Sequence, residues 1–202
     1  MYYFFVVLCA YMMGSSSMSF YIAKWKGIDI REKGSKNLGA SNAMIVFGWK
    51  YGILVGIHDI AKSALAVILA AHFFPDLPHI GAVAGVASVL GHIFPFYLKF
   101  KGGKGFASYL GMTFALNWKL ALVICLVIVL ATLITDYIVV GTTLTITIVP
   151  TFFGIVTKGW IAPLILLIAT IVIIYKHRMN YVHIYKGTEI GFRSANKGEH
   201  RA

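Results

Sequence analysis

From the first residue, apolar side chains come in long runs separated by short polar stretches, and these runs predict membrane-spanning helices. A helix needs about 20 apolar residues, within a range of about 17–25, to cross the hydrocarbon core. Seven segments are predicted: 1–22, 51–74, 79–98, 106–116, 120–135, 137–156 and 160–175. The fourth is short. At about 1.5 Å per residue it covers about 16 Å, roughly half the core. It is either a re-entrant segment or a short crossing buried in protein.

Composition agrees with that pattern. The chain has 202 residues, 59% hydrophobic and 12% charged, whereas a soluble domain carries about 25% charged residues. The expectation is an all-α integral membrane protein, a seven-transmembrane-helix bundle forming a single domain over 1–202. The net charge of +11 does not point to nucleic acid, because membrane loops on the cytoplasmic side also collect Lys and Arg. If all seven segments cross, fifteen of the eighteen Lys and Arg fall in the loops at 23–50 and 99–105 and in the tail from 176. Lys119 and Lys158 face the other side, and Lys62 lies within a span. A re-entrant fourth segment would move the tail's charges outside, against the positive-inside rule. The N-terminus is therefore predicted external, and the C-terminus and basic loops cytoplasmic, in a bacterial inner membrane.

No charged side chain precedes Lys24. A signal peptide has a positive region before its apolar stretch, so the first run is expected to stay as a span. Cys9 and Cys125 both sit in apolar runs and are expected to be small core residues. The histidines show no HExxH and no Cys/His zinc spacing, so no metal or other cofactor is expected.

The polar segments carry the candidate chemistry. The loop "KFKGGKGF" (99–106) sets Gly102, Gly103 and Gly105 around Lys104. Glycines permit positive φ and close approach to a ligand. Successive N–H groups can form an anion-binding nest, and the loop enters a helix whose N-terminus favours an anion. A phosphate cradle is the favoured reading; the alternative is an ordinary basic loop that fixes orientation in the bilayer. It is not a Walker A motif, since Leu98 and Gly105 stand where Gly and Ser/Thr would be needed. In loop one, Gly34, Ser35, Asn37, Gly39, Asn42 and their neighbours suit either phosphate and hydroxyl binding or a turn with a helix cap. His177 and Asn180 share a face at i,i+3 if the last helix continues, with Arg178 rotated away. Arg178 reads equally as a ligand or as a cation snorkelling at the interface. Asp59 and Lys62, also i,i+3, are either a structural pair or functional charges. His92 either lines the site or bonds a neighbouring backbone.

Three segments, "GIDIREKGSKNLGASN", "GHIFPFYLKFKGGKG" and "HRMNYVHIYKGTE", occur in the order found in the bacterial PlsY-type acyltransferases, and the chain resembles that family from Gly14 to Glu189. The resemblance implies a seven-span fold with an external N-terminus, and transfer of an acyl chain from acyl phosphate to the 1-hydroxyl of glycerol 3-phosphate. The products would be lysophosphatidic acid and phosphate, with no cofactor. It implies Ser35, Lys104, His177 and Asn180 as catalytic residues. Gly34, Lys36, Asn37, Gly39, Asn42, His92, Gly102, Gly103, Gly105, Arg178 and Glu189 would bind substrate or phosphate. An acyl phosphate is already activated, so positioning and charge neutralisation suffice without a nucleophilic Ser or Cys. The HxxxxD pair of the other acyltransferase class is absent.

Two departures from the family pattern GSGNxGATNxxR bear on charge. Lys36 replaces the middle glycine, and Ile45 stands where the arginine belongs. Lys36 would supply part of the missing charge, without the bidentate fork of a guanidinium. A milder departure is Gly14–Ser19, where GSxPFG reads "GSSSMS"; it is expected to change helix geometry more than chemistry. The alternatives are an altered-acceptor or low-activity paralogue, and a transporter of a phosphorylated solute.

Overall fold

In the computed structural model, residues 1–193 are described; Lys197, His200 and Arg201, which entered the charge and motif readings, lie outside the described residues. Among the described residues the secondary structure is helical throughout. Six helical segments are long and apolar enough to cross a membrane, and Phe106–Leu116 is a shorter apolar helix. The chain forms two compact units, Met1–Asn117 and Trp118–Ala202.

The first unit holds α1 (Tyr2–Ser15), α2 (Met18–Trp25), α3 (Ala40–Phe47), α4 (Trp49–Phe73), α5 (Ile80–Ile93) and α6 (Phe106–Leu116). The first predicted span is broken at Ser16–Ser17, within the departing "GSSSMS" stretch. Ser17 leaves the helix with extended backbone, and its hydroxyl accepts from the Phe20 N–H to cap α2. The break frees carbonyls inside an apolar environment, and each must find a donor within the protein. Tyr97 O–H donates to the Ser15 carbonyl at 2.9 Å, and Lys62 Nζ donates to the Ser16 carbonyl at 2.7 Å.

Helices in this unit approach closely where they carry glycine. A Cβ on Gly91 of α5 would run into the Tyr11 carbonyl of α1, and one on Gly14 into the Ser88 carbonyl. Gly111 of α6 sits in the same way against Ile60 of α4. With no hydrophobic force between spans, such backbone-level packing of small residues drives association. Cys9, expected in the core, is exposed on α1, and Cys125 is half-buried; both are free thiols. The exposed face of a span is apolar anyway, so an apolar run does not tell core from periphery.

The second unit holds α7 (Trp118–Thr135), α8 (Ile138–Thr157) and α9 (Ile161–Tyr185). Pro150 lies inside α8. It cannot donate to the carbonyl four residues back, which belongs to Ile146. Thr170 of α9 donates its hydroxyl to that carbonyl at 3.0 Å, so the bond lost to proline is replaced across the helix pair. α9 runs to Tyr185 rather than ending at 175, and Gly187, at φ 67°, turns the chain back. The returning segment is clasped by the turn between α7 and α8. Phe192 N–H donates to the Asp136 carbonyl at 2.8 Å, Arg193 N–H to Asp136 Oδ1 at 2.9 Å, and Arg193 Nη2 to the Leu133 carbonyl at 2.5 Å.

Thr170→Val keeps the shape and removes the replacement donor, leaving a buried carbonyl unpaired. It should destabilise the folded protein by about 1–2 kcal/mol, read as a lower unfolding midpoint in detergent. Gly91→Val should cost more, because the α1 backbone cannot yield as a side chain can. An unchanged midpoint for Thr170→Val would show that the α8–α9 bond adds nothing.

Candidate active site

Loop one is organised by a single amide. Asn42, on the first turn of α3, is fully buried. Its Nδ2 donates to the Asn37 carbonyl at 2.8 Å and to the Ile30 and Lys33 carbonyls at 3.1 Å. Its Oδ1 accepts the Ser35 N–H at 2.7 Å. The side chain expected to bind phosphate thus holds the loop, and Ser35 is presented on the exposed surface it supports. Gly34, at φ 56°, is needed there, since a Cβ would strike Asn42 Oδ1. The cap reading of the Ser/Asn residues is not what forms α3, whose N-cap is Gly39 with no side-chain bond. Asn37 instead bonds locally, Oδ1 accepting the Leu38 N–H at 3.0 Å.

Lys36 is exposed and adopts φ 56°. Ile45, at the position of the family arginine, lies with its Cγ2 3.3 Å from where a Gly34 Cβ would be. Position 45 therefore faces the Gly34–Ser35 turn. At the loop's entry Asp29 caps a 3-10 turn (Ile30–Glu32) and pairs with Arg31 at 2.7 Å. Hydrogen bonds from Arg31 hold the Asp29 carboxyl down at about 2. Its small contribution is present above the usual carboxylate range and is lost as pH falls through about 2.

The glycine turn differs from the expected nest. Gly102 N–H donates to the Ile93 carbonyl and Gly103 N–H to the His92 carbonyl, both at 3.1 Å. Those donors are spent on the end of α5 and do not face an anion. Neither residue uses positive φ; of the three, only Gly105 does, at 94°. Gly102 and Gly103 are glycine for want of space, because a Cβ would strike the His92 carbonyl in one case and His92 Nε2 in the other. What remains of the cradle is the half-buried Lys104 and the start of α6 at Gly105–Phe106, where the first N–H groups lack intrahelical acceptors.

His92, a candidate phosphate ligand from sequence, is buried behind this turn. Its Nδ1 lies 2.9 Å from Lys62 Nζ. Lys62 also donates to Asp59 Oδ1 at 2.7 Å, so Asp59 and Lys62 do pair. His58 lies beside them, with Nδ1 3.5 Å from Asp59 Oδ1 and Nε2 3.1 Å from the Ser16 hydroxyl.

In the second unit the continuation of α9 puts His177 and Asn180 on one face of one helix. His177 is buried, with Nδ1 2.9 Å from the Ile173 carbonyl. A carbonyl only accepts, so Nδ1 carries the proton and Nε2 of the neutral ring is the acceptor. Asn180 Nδ2 donates to Glu189 Oε1 at 2.5 Å, and Glu189 Oε2 lies 3.5 Å from His183 Nδ1. Glu189, expected among the phosphate binders, is an anion already engaged in holding Asn180; a carboxylate repels phosphate. Arg178 is exposed, donates to the Tyr175 carbonyl at 2.9 Å and lies 4.1 Å from the Tyr175 ring centroid, apart from the His177–Asn180 face. Sequence reading missed Asp136 and Arg193, whose clasp closes the segment bearing Glu189. The only signal was a lone Asp between two apolar runs.

Among groups of His, Cys, Asp and Glu in the described residues, none could hold a metal ion. The family described as "Glycerol-3-phosphate acyltransferase" matches residues 4–187. The glycerol-3-phosphate acyltransferase of Aquifex aeolicus is 38% identical over 192 residues, covering 93% of this chain and 98% of that protein. The one from Thermotoga petrophila is 36% identical over 183 residues, covering 90% and 92%. The crystal structure of PlsY (YgiH), an integral membrane glycerol 3-phosphate acyltransferase, in its glycerol 3-phosphate form, superimposes with a TM-score of 0.88 at 33% identity, covering 96% of this chain and 97% of that one. Its lysophosphatidic acid form gives 0.83, covering 94% and 95%. With matches running almost the full length in sequence and in fold, this chain belongs to the glycerol-3-phosphate acyltransferase family.

Proposed function

We propose that this chain transfers an acyl group from acyl phosphate to the 1-hydroxyl of glycerol 3-phosphate, as a single domain in a bacterial inner membrane with its site facing the cytoplasm. The hydroxyl oxygen bonds to the acyl carbon, the bond from that carbon to the bridging phosphate oxygen breaks, and the hydroxyl proton ends on the departing phosphate. Lysophosphatidic acid and inorganic phosphate leave. The observation that carries this reading is the fixed ring of His177. With Nδ1–H held by Ile173, Nε2 accepts a hydrogen bond from the attacking hydroxyl and sets its direction. Asn180, steadied by Glu189, orients a second hydroxyl of the acceptor.

Lys104 neutralises phosphoryl charge at the start of α6, where the helix dipole adds to its effect. Ser35, held out on the loop that Asn42 braces, donates to a phosphoryl oxygen. Asn42 and Glu189 act by positioning. The acyl tail stays among apolar helices. Seven crossings, counting the short α6, place the N-terminus outside and all three motif segments inside. The distribution of Lys and Arg supports this orientation. The clasp of the returning tail on the α7–α8 turn requires those two segments to share a side, which fits α8 and α9 both crossing.

Purified protein given acyl phosphate should release phosphate only when glycerol 3-phosphate is present, with lysophosphatidic acid identified by mass. Release without the acceptor, or no product, would overturn the assignment. His177→Ala should lower kcat by about 10²–10⁴-fold, whereas Arg178→Ala should change it little. For the departing positions, Lys36→Ala should raise the acceptor KM and Ile45→Arg should lower it. Equal values in all three proteins would remove Lys36 from substrate binding.

A further inference from the structure

Behind the glycine turn lies a charged group that the proposed chemistry does not use. Lys62 is 5% exposed and Asp59 2%. Burying an ion pair is costly, and pairs of this kind contribute little net stability compared with apolar packing. Within an apolar span such charges call for a role.

The three protons of Lys62 have three acceptors: Asp59 Oδ1, the Ser16 carbonyl freed by the break in the first span, and His92 Nδ1. His92 in turn meets the turn in two ways. Its carbonyl accepts the Gly103 N–H, and its Nε2 edge abuts Gly103 so closely that no Cβ fits between them. The next residue is Lys104. The ammonium is thus three contacts away from the cation assigned to the phosphoryl group. Asp59 also reaches the far side of the turn, since Ser108 of α6 donates to its backbone carbonyl at 3.2 Å.

We infer that Asp59 and Lys62 are positioning residues for the reaction: they fix His92, and His92 seats the Gly102–Gly103 turn so that Lys104 and the start of α6 meet a phosphoryl group. The ligand chemistry is a phosphate monoester or an acyl phosphate. The inference rests on the role proposed for Lys104.

The test uses full-length protein in detergent, comparing wild type with Lys62→Met, Asp59→Asn and Gly103→Ala. KM is measured separately for acyl phosphate and for glycerol 3-phosphate, which tells which phosphoryl group the turn serves. Each variant should raise one KM at least tenfold with a smaller change in kcat. Lys62→Met combined with Gly103→Ala should be little worse than either alone, because both release the same turn. Amide hydrogen exchange in the segment 99–105 should rise in Lys62→Met while α4 and α5 stay protected. That arm reads the turn without any substrate, so it stands even if wild type proves inactive in acyl transfer, a result that would sink the functional reading alone. Unchanged KM values with less folded protein, multiplicative effects in the double variant, or exchange rising throughout α4 and α5 would each overturn the inference. Should Lys62→Met and Asp59→Asn fail to fold, Gly103→Ala decides from the turn's side: an unchanged KM for both substrates overturns it.

Discussion

Inside an apolar span, a backbone carbonyl that loses its helical partner has to find a donor within the protein. Much of this structure follows from meeting that requirement. The break at Ser16–Ser17 is tolerated because Tyr97 and Lys62 reach the freed carbonyls. Lys62, once buried there, needs a counter-charge, which Asp59 provides one helical turn away. In the second unit Pro150 creates the same demand at Ile146, and Thr170 meets it. Neither Pro150 nor the serine pair is a defect to be explained away. Each links one helix to another through a bond that an unbroken helix would have kept to itself.

The three polar segments meet the same demand. In loop one a single buried amide gathers three carbonyls and one N–H. This relieves an irregular stretch of its unpaired groups and leaves Ser35 facing outward. At the glycine turn the N–H groups go to the end of α5, where a helix would otherwise leave carbonyls without partners. The turn is thus the cap of α5 and the entry to α6 at once. The end of α9 is arranged differently: the chain doubles back at Gly187, and Glu189 returns to the helix it has just left.

The spans were legible from the runs of apolar residues because membrane thickness leaves few other readings. The three polar segments stood out because polar residues at that density have no place in lipid. What the sequence hid was the division of labour within them. Gly102 and Gly103 look the same whether they serve a ligand or make room for His92, and only the neighbouring chain decides. Asn42 and Glu189 look like ligands because polarity alone does not say which partner is met. The end of α9 was left open for a related reason: the apolar run stops near 175, but backbone hydrogen bonds continue through Lys176–Tyr185. The Asp136–Arg193 clasp joins residues far apart in the chain, a pairing that no periodicity announces.

The geometry around Asn42 sets a strict limit on what the chain accepts there. Aspartate has the right length but offers no proton to the carbonyls of Ile30, Lys33 and Asn37, and would set a negative charge against them. Glutamine has the right atoms on a stem one methylene too long for a site with no open space. A histidine or serine reaches too few of the four partners. Asparagine at position 42 meets all four partners at once, and the shape of the loop rests on that fit.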